Sequence, residues 1–175
     1  LADALVGEPG SSRAHVYEGA TTGLPTAPSR SLSMAETNDL GKSVAAAGDV
    51  DGDGFVDAVV SAPGNRALSL HYGSATGLSE TGVLVAGPSF DWGYVVTAAG
   101  DVNGDGFADV AVWDGLEVSA IYIVYGGARG ATPTIERVPN ARGVGAVPMA
   151  GAGKIDGDEY DDLVIGMQTV SGPVL

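Results

Sequence analysis

The chain has 175 residues, 45% of them apolar, with 28 glycines, nine prolines and no cysteine, which predicts one turn-rich globular domain without disulfide bonds. A formal net charge of −14 argues against nucleic acid and anionic membrane surfaces as partners, because both would repel the chain, and it favours a cation. No apolar stretch reaches the length of about eighteen residues that a membrane span needs, so no direct membrane insertion is expected.

Comparison of the chain with itself reveals a repeat. LGKSVAAAGDVDGDGFVDAVVSAPG matches WGYVVTAAGDVNGDGFADVAVWDG at a spacing of 52 residues (101 − 49), and VGAVPMAGAGKIDGDEYDDLVIGMQ matches more weakly after a further 53 (154 − 101). The first residues, LADALVGEP, match FVDAVVSAP, so we expect the chain to begin inside a repeat. The predicted units are 1–39, which lacks its first strand and acidic loop, 40–91, 92–143, and 144–175, which is incomplete and has a degenerate loop.

Each unit contains short apolar runs bounded by glycine, which predict strands. In chain order the first is small and apolar (SVAAAG, VVTAAG), the second is continuously apolar (DAVVSAP, DVAVW, DLVIG), the third is aromatic and β-branched (IYIVY), and the fourth lies around GVLVAG and TIERV. Continuity in the second strand indicates burial on both faces. Such a repeat predicts an all-β fold, a β-propeller of four-stranded antiparallel blades, of which this chain holds about three and a half. A duplicated β-sandwich and a β-solenoid are the alternatives.

The segments DVDGDGFVD and DVNGDGFAD place oxygen-bearing side chains on alternate residues before a glycine, a pattern that suits a hard cation such as Ca²⁺. Gly54, at the sixth position, would take the positive φ that turns the loop around the metal. With the backbone carbonyl used at each phenylalanine, the predicted calcium ligands are Asp49, Asp51, Asp53, Phe55 and Asp57, and then Asp101, Asn103, Asp105, Phe107 and Asp109.

Other acidic loops fit this pattern less well. An EF-hand needs a bidentate glutamate at position twelve, where this chain has Val60 and Val112, and the same valines argue against dockerin-type and thrombospondin-type repeats. A solvated acidic turn without metal is the remaining alternative, since aspartate and glycine favour turns. It is disfavoured because the clustered carboxylates would repel one another without a cation.

The third loop breaks the pattern at its first and sixth positions, where Lys154 and Glu159 stand. We predict that this loop binds no metal and that the Lys154 ammonium takes the place of calcium among Asp156, Asp158 and Asp162. A non-glycine residue held at positive φ would cost about 1–2 kcal/mol, so the alternative is a rearranged loop.

No catalytic residue is predicted. His15 and His71 both lie in third strands but at different positions relative to the following glycine, and no Gly-x-Ser-x-Gly motif occurs. Trp92 and Trp113 are interpreted as core residues, and a platform for a sugar ring is the less favoured alternative for each. Packing between blades is predicted for the tyrosines of the third strands, Tyr17, Tyr72, Tyr122 and Tyr125. The segment GGARG is a turn, too weak a pattern for a phosphate loop.

At these motifs the chain resembles the FG-GAP repeats, the blades of the integrin alpha-subunit β-propeller and of many bacterial surface and secreted proteins. The resemblance covers nearly the whole chain and includes Leu40 and Gly41, the acidic loop, and a GAP-like ending at 61–63; the next unit keeps Trp92 and its loop but loses the proline. It implies that calcium stabilises the blades on one face of the disc without taking part in catalysis. It also implies ligand binding on the opposite face, through loops that cannot be matched to residues here.

Propellers of this family usually have seven blades, so the chain is expected to be a segment of a longer propeller or to be completed by other copies. The leading functional hypothesis is a calcium-stabilised, non-catalytic recognition module for a protein or carbohydrate ligand, adhesion-like and extracellular, secreted or at the cell surface, with a bacterial source expected. The alternatives are a non-catalytic scaffold within a larger secreted enzyme or toxin-like protein and, least supported, an enzyme. Exposed aromatic residues on the metal-free face would favour recognition.

Overall fold

A computed structural model describes residues 3–35, 39–90, 92–115, 120–142 and 148–166. Within these ranges the chain forms thirteen β-strands and two 3₁₀ turns, Pro9–Ser11 and Pro63–Asn65. The strands are β1 (Ala4–Glu8), β2 (Arg13–Tyr17), β3 (Arg30–Leu32), β4 (Val44–Gly48), β5 (Asp57–Ala62), β6 (Ala67–His71), β7 (Val83–Ala86), β8 (Val95–Gly100), β9 (Asp109–Trp113), β10 (Ala120–Val124), β11 (Ile135–Arg142), β12 (Met149–Gly153) and β13 (Asp162–Ile165).

Hydrogen bonding joins these strands into antiparallel sheets in which sequence neighbours are also spatial neighbours. The sheets are β1-β2-β3, β4-β5-β6-β7, β8-β9-β10-β11 and β12-β13. The two central sheets have four strands each, which confirms the prediction of an all-β fold built from four-stranded antiparallel propeller blades. Strand β4 packs against β8, and β8 packs against β12, so the first strands of consecutive blades lie side by side.

The second strand of each central blade is buried on both faces, as predicted from its apolar continuity. Every residue of β5 and of β9 is buried. Strand β13 differs, because its residues are only partly buried and Val164 is 51% exposed. The prediction that DLVIG is buried on both faces is therefore wrong. Within the described ranges, no further blade covers the outer face of this strand.

Apolar side chains fill the space between the two central blades. This core contains Val59, Leu68, Val85, Trp92, Val96, Val110, Val112 and Val124. Trp92 is fully buried and meets the ring of Tyr122 edge-on at 5.1 Å, which confirms its interpretation as a core residue. Trp113 is equally buried and packs edge-on against Tyr94 at 5.6 Å, so neither indole offers an exposed face to a sugar.

A register shift interrupts the pairing of the first and second strands just before each acidic loop. Glycine occupies the shifted position every time, with φ values of 84° at Gly48, 80° at Gly100 and 62° at Gly153. Glycine adopts this region without steric cost, and such bulges redirect the chain at the edge of a sheet. The acidic loops consequently leave their blades from the same end.

Candidate metal centre

The first acidic loop connects β4 to β5 and curls around the carboxylate of Asp49. Asp49 Oδ1 accepts the backbone N–H of Asp53 at 3.0 Å, and Oδ2 accepts that of Gly54 at 2.8 Å. Gly54 has a φ of 88°, as predicted for the sixth position. The loop therefore closes around its own first side chain.

Three of the predicted ligands converge in this loop. Asp49, Asp51 and Asp57 each present a carboxylate oxygen, and these oxygens lie within 4.8 Å of one another. Calcium binds carboxylate oxygens at about 2.3–2.6 Å, so one calcium ion can contact several oxygens that lie this close together. The donors are all oxygen, and their like charges repel unless a cation lies between them. The residues present therefore fit a divalent metal ion.

The ninth-position aspartates are fully buried and tie each loop to its blade. Asp57 accepts the backbone N–H groups of Val50, in the loop, and Gly73, after β6, at 2.9 and 2.6 Å. Asp109 makes the equivalent pair of bonds in the next blade. Burial raises the pKa of Asp57, and it raises the pKa of Asp109 to about 6. A bound cation would favour the ionised form of both side chains.

The second loop has the same backbone plan but a different third position. Asp101 accepts the N–H groups of 104 and 105 through Oδ1 and that of Gly106 through Oδ2, at 2.7, 3.0 and 2.9 Å. The Asn103 amide donates to Asp105 Oδ2 at 2.8 Å. Across the described residues, the carboxylates of Asp101, Asp105 and Asp109 do not converge as those of the first loop do. An ion in this loop would require the Asn103 carbonyl oxygen as an additional donor.

The third loop departs from the prediction at Lys154. The side chain is exposed, and among described residues no carboxylate lies within the 4.0 Å ion-pair distance of its ammonium group. The expected contacts from Lys154 to Asp156, Asp158 and Asp162 are therefore not formed, and the predicted replacement of calcium by the ammonium is corrected. Glu159 does not have a positive φ, so the backbone changes conformation where the other loops have glycine. The alternative interpretation, a rearranged loop, describes this segment.

The three loops are joined in a row by backbone hydrogen bonds. The N–H of Ala108, in the second loop, donates to the carbonyl of Asp49 in the first at 2.9 Å. One repeat further on, the N–H of Asp161 donates to the carbonyl of Asp101 at the same distance. Each loop is thus in direct contact with the next.

A family model described as FG-GAP-like repeat matches residues 49–112, which include both regular acidic loops and the strands β5 to β8 between them. The chain belongs to the FG-GAP repeat family. The curated relatives that it matches are integrin alpha subunits. These relatives support the same assignment.

The similarity to these relatives is distant and partial. The chain is 30% identical to integrin alpha-PS2 of Drosophila melanogaster over 156 residues, covering 69% of this chain and 11% of the relative. It is 28% identical to integrin alpha-3 of Mus musculus, covering 73% and 14%, and 30% identical to integrin alpha-7 of Homo sapiens, covering 74% and 12%. The chain thus spans between 11% and 14% of the length of these integrin subunits.

Sequence reasoning missed the part that Arg129 plays in the first FG-GAP loop. Its guanidinium Nε donates to Asp51 Oδ2 at 2.5 Å and its Nη2 donates to Asp53 Oδ2 at 2.8 Å. Arg129 lies between β10 and β11, so a side chain of one blade enters the acidic loop of the preceding blade. The signal in the sequence was the GGARG turn, where the equivalent turns carry Thr22 and Thr76.

The face opposite the acidic loops has a different chemistry. A shallow cleft of about 340 Å³ lies there, next to the turn after β5. It is lined by Asp39, Lys42, Pro63, Gly64, Arg66, Phe90 and Tyr94. The Lys42 ammonium lies 4.7 Å from the centre of the Tyr94 ring, and the Arg66 guanidinium lies over Phe90, whose side chain is 66% exposed. In the described part of the chain, neither cation has a carboxylate within 4.0 Å.

Among the described residues, no helix has the length and apolar character that a membrane span needs.

Proposed function

We propose that the chain is part of a calcium-stabilised, non-catalytic FG-GAP propeller that recognises a protein or carbohydrate ligand outside the cell. The observation that carries this proposal is the convergence of the Asp49, Asp51 and Asp57 carboxylates at the end of a blade. Oxygen donors of this kind suit calcium, and extracellular modules can use weak sites because calcium outside cells is abundant. The integrin alpha relatives support an adhesion-like role, secreted or at the cell surface.

Recognition on the face opposite the acidic loops is supported by its exposed aromatic residue and by two cations that have no carboxylate within 4.0 Å among the described residues. Phe90 is largely exposed beside Lys42 and Arg66, although the chain as a whole carries a formal charge of −14. Cations beside aromatic rings suit a ligand with acidic groups, whether these belong to a protein or to a carbohydrate. Asp39 lines the same cleft and would restrict where an anionic group could lie.

A structural role for the acidic loops is favoured over a catalytic one. Both oxygens of Asp49 and both oxygens of Asp57 accept backbone N–H groups, so these carboxylates hold the loop in shape. A general acid or base needs a carboxylate that is free to exchange a proton with a substrate. The same carboxylates, once shared with a metal ion, are not available for that task.

Titration of the chelated protein with calcium by isothermal calorimetry tests the metal sites. We expect two saturable sites and a rise in melting temperature, because a ligand at a hundred times its dissociation constant stabilises the folded state by about 2.7 kcal/mol. Asp49→Asn and Asp101→Asn should each remove one site while keeping an oxygen that can accept the loop's N–H groups. Asp156→Asn, in the rearranged third loop, is the matched control and should leave both sites intact. Absence of binding to the unaltered chain would overturn the proposal.

A further inference from the structure

The Arg129 guanidinium contacts two carboxylates of the first loop, those of Asp51 and Asp53. The Asp51 side chain is only 1% exposed beneath the guanidinium, whereas the Arg129 side chain itself is 53% exposed. The guanidinium also lies 4.4 Å from the centre of the Tyr72 ring, which belongs to the same blade as the loop. Three groups of one blade therefore hold a single side chain of the next, and the planar guanidinium is oriented by bridging two separate carboxylates.

The pair sets the two regular loops apart. The first has four carboxylates, at positions 49, 51, 53 and 57, and the second has three, at 101, 105 and 109, because Asn103 replaces the aspartate of position three. With Arg129 included, the formal charge of the first loop is −4 + 1 = −3. The second loop instead receives the carboxylate of Asp161, which accepts the Asp101 N–H at 2.9 Å, so its charge is −3 − 1 = −4. The following blade thus brings a cation to the first loop and a carboxylate to the second.

In the second loop, a side chain of the loop itself makes the contact that Arg129 makes in the first. The Asn103 amide donates to Asp105 Oδ2, the counterpart of the Asp53 oxygen that Arg129 contacts. In each loop, then, an N–H group lies against the fifth-position carboxylate. In the first loop that N–H group belongs to the charged guanidinium of Arg129, which lies 76 residues from Asp53 in the sequence.

We propose that Arg129 is a tethered cation that competes with calcium for Asp51 and Asp53. In the absence of calcium it offsets one of the four negative charges of the first loop and fastens the blade containing β10 to the blade containing β4. When calcium binds, the guanidinium must release at least part of its hold on these carboxylates. Arg129 therefore lowers the calcium affinity of the first loop and stabilises its metal-free form. This inference rests on the proposed function, since it assumes that the first loop is a calcium site.

The test compares Arg129→Gln with Arg13→Gln, a matched loss of one charge in β2, a strand that contributes nothing to the loop. Both are made in an Asp101→Asn background, so that calorimetry reports the first loop. We expect Arg129→Gln to tighten calcium binding about tenfold, because a competing ion pair of about 1.4 kcal/mol is removed. It should also lower the melting temperature of the metal-free protein, with little effect on the calcium-saturated protein. Arg129→Lys keeps the charge but loses the planar fork, so its calcium affinity should lie between those of Arg129→Gln and Arg13→Gln.

Each outcome has a defined meaning. Unchanged or weaker calcium binding by Arg129→Gln, with binding intact in the Arg13→Gln control, would overturn the competition while leaving the proposed calcium site in place. Calcium binding that is detectable only after the Arg129→Gln change would support it most directly. If neither variant nor the unaltered chain binds calcium at either loop, both the inference and the proposed function fail.

Discussion

The ring of Phe107 lies against Gly52, so that the aromatic residue of the second acidic loop covers the glycine of the first. A Cβ atom added at Gly52 would lie 2.8 Å from Phe107 Cε1. The same relationship recurs one repeat later, where a Cβ at Gly104 would lie 2.6 Å from Tyr160 Cε1. These glycines are required for the approach of a neighbouring loop as well as for their backbone conformation.

Gly52→Ala is therefore expected to destabilise the chain more than Gly54→Ala. Both glycines have a positive φ, 77° and 88°, but a Cβ at Gly54 meets no atom within 4 Å. Each alanine should cost about 1–2 kcal/mol for its backbone conformation, and Gly52→Ala should cost about 1–3 kcal/mol more through contact with Phe107. Urea unfolding of the metal-free proteins measures the difference.

The Phe107→Ala background provides the control for this comparison. In that background the two alanine substitutions should lower the free energy of unfolding equally, because the ring that the new Cβ atom at position 52 would contact is absent. A persistent excess for Gly52→Ala would show that its cost arises within the first loop.

Trp92→Ala should cost about 3–5 kcal/mol in the free energy of unfolding. Trp92 is fully buried between two blades and packs against Tyr122, so its removal leaves a large cavity. Phe90→Ala is the matched control, because this nearby aromatic residue is 66% exposed and should cost less than about 1 kcal/mol. Chemical denaturation followed by circular dichroism reports both values; similar values would contradict the assignment of Trp92 to the core.

His71 should make the folded state less stable as the pH falls below about 6.5, the ordinary pKa of histidine. The side chain is fully buried, its Nδ1–H donates to the Ser79 carbonyl at 2.8 Å, and its Nε2 accepts from the Ser69 hydroxyl at 2.9 Å. Burial lowers the pKa of His71 in the folded state. Between the folded and unfolded pKa values only the unfolded chain binds the proton, so stability falls with pH by at most about 1.4 kcal/mol per unit.

Urea titrations at pH 5, 6 and 7 measure this slope. His71→Gln should flatten it. The buried carboxylates Asp57 and Asp109 are present in every variant, so their contribution cancels from the comparison. An unchanged slope in His71→Gln would contradict the prediction.

Arg66→Glu should weaken the binding of acidic ligands on the face opposite the acidic loops. The substitution reverses one of the two cations in the cleft, whereas Arg13→Glu makes the same change of charge in β2. An array of carboxylated, sulfated and neutral oligosaccharides together with acidic peptides measures the effect. We expect acidic probes to bind the unaltered chain better than neutral ones, and Arg66→Glu alone to lose them. Equal binding of neutral probes would contradict an anion-recognising cleft.

The parts of the fold that could be predicted are those that depend on short stretches of chain. The match between LADALVGEP and FVDAVVSAP is one case, since Asp3 Oδ1 accepts the N–H of Gly19 at 2.7 Å just as Asp57 accepts that of Gly73. Strand β3 could not be predicted, because its RSL sequence forms a strand only through pairing with β2.

The contacts that the sequence did not predict depend on how one blade is placed against another. Arg129 reaches Asp51 across 78 residues, and local sequence gives no measure of that distance. The Lys154 contacts fail for a related reason. A lysine on a flexible stem gains little by ordering itself near exposed carboxylates, so opposite charges in one loop do not guarantee an ion pair.

The bond from the Ala108 N–H to the Asp49 carbonyl, repeated from Asp161 to Asp101, has a thermodynamic consequence. Loops joined only to their immediate neighbours form a linear array, in which the free energy is a sum of terms for each unit and for each junction. If the acidic loops hold calcium as proposed, loss of an ion from one unit weakens the junctions on its two sides, and the effect decays beyond them. The calcium concentration then determines how many consecutive blades unfold together.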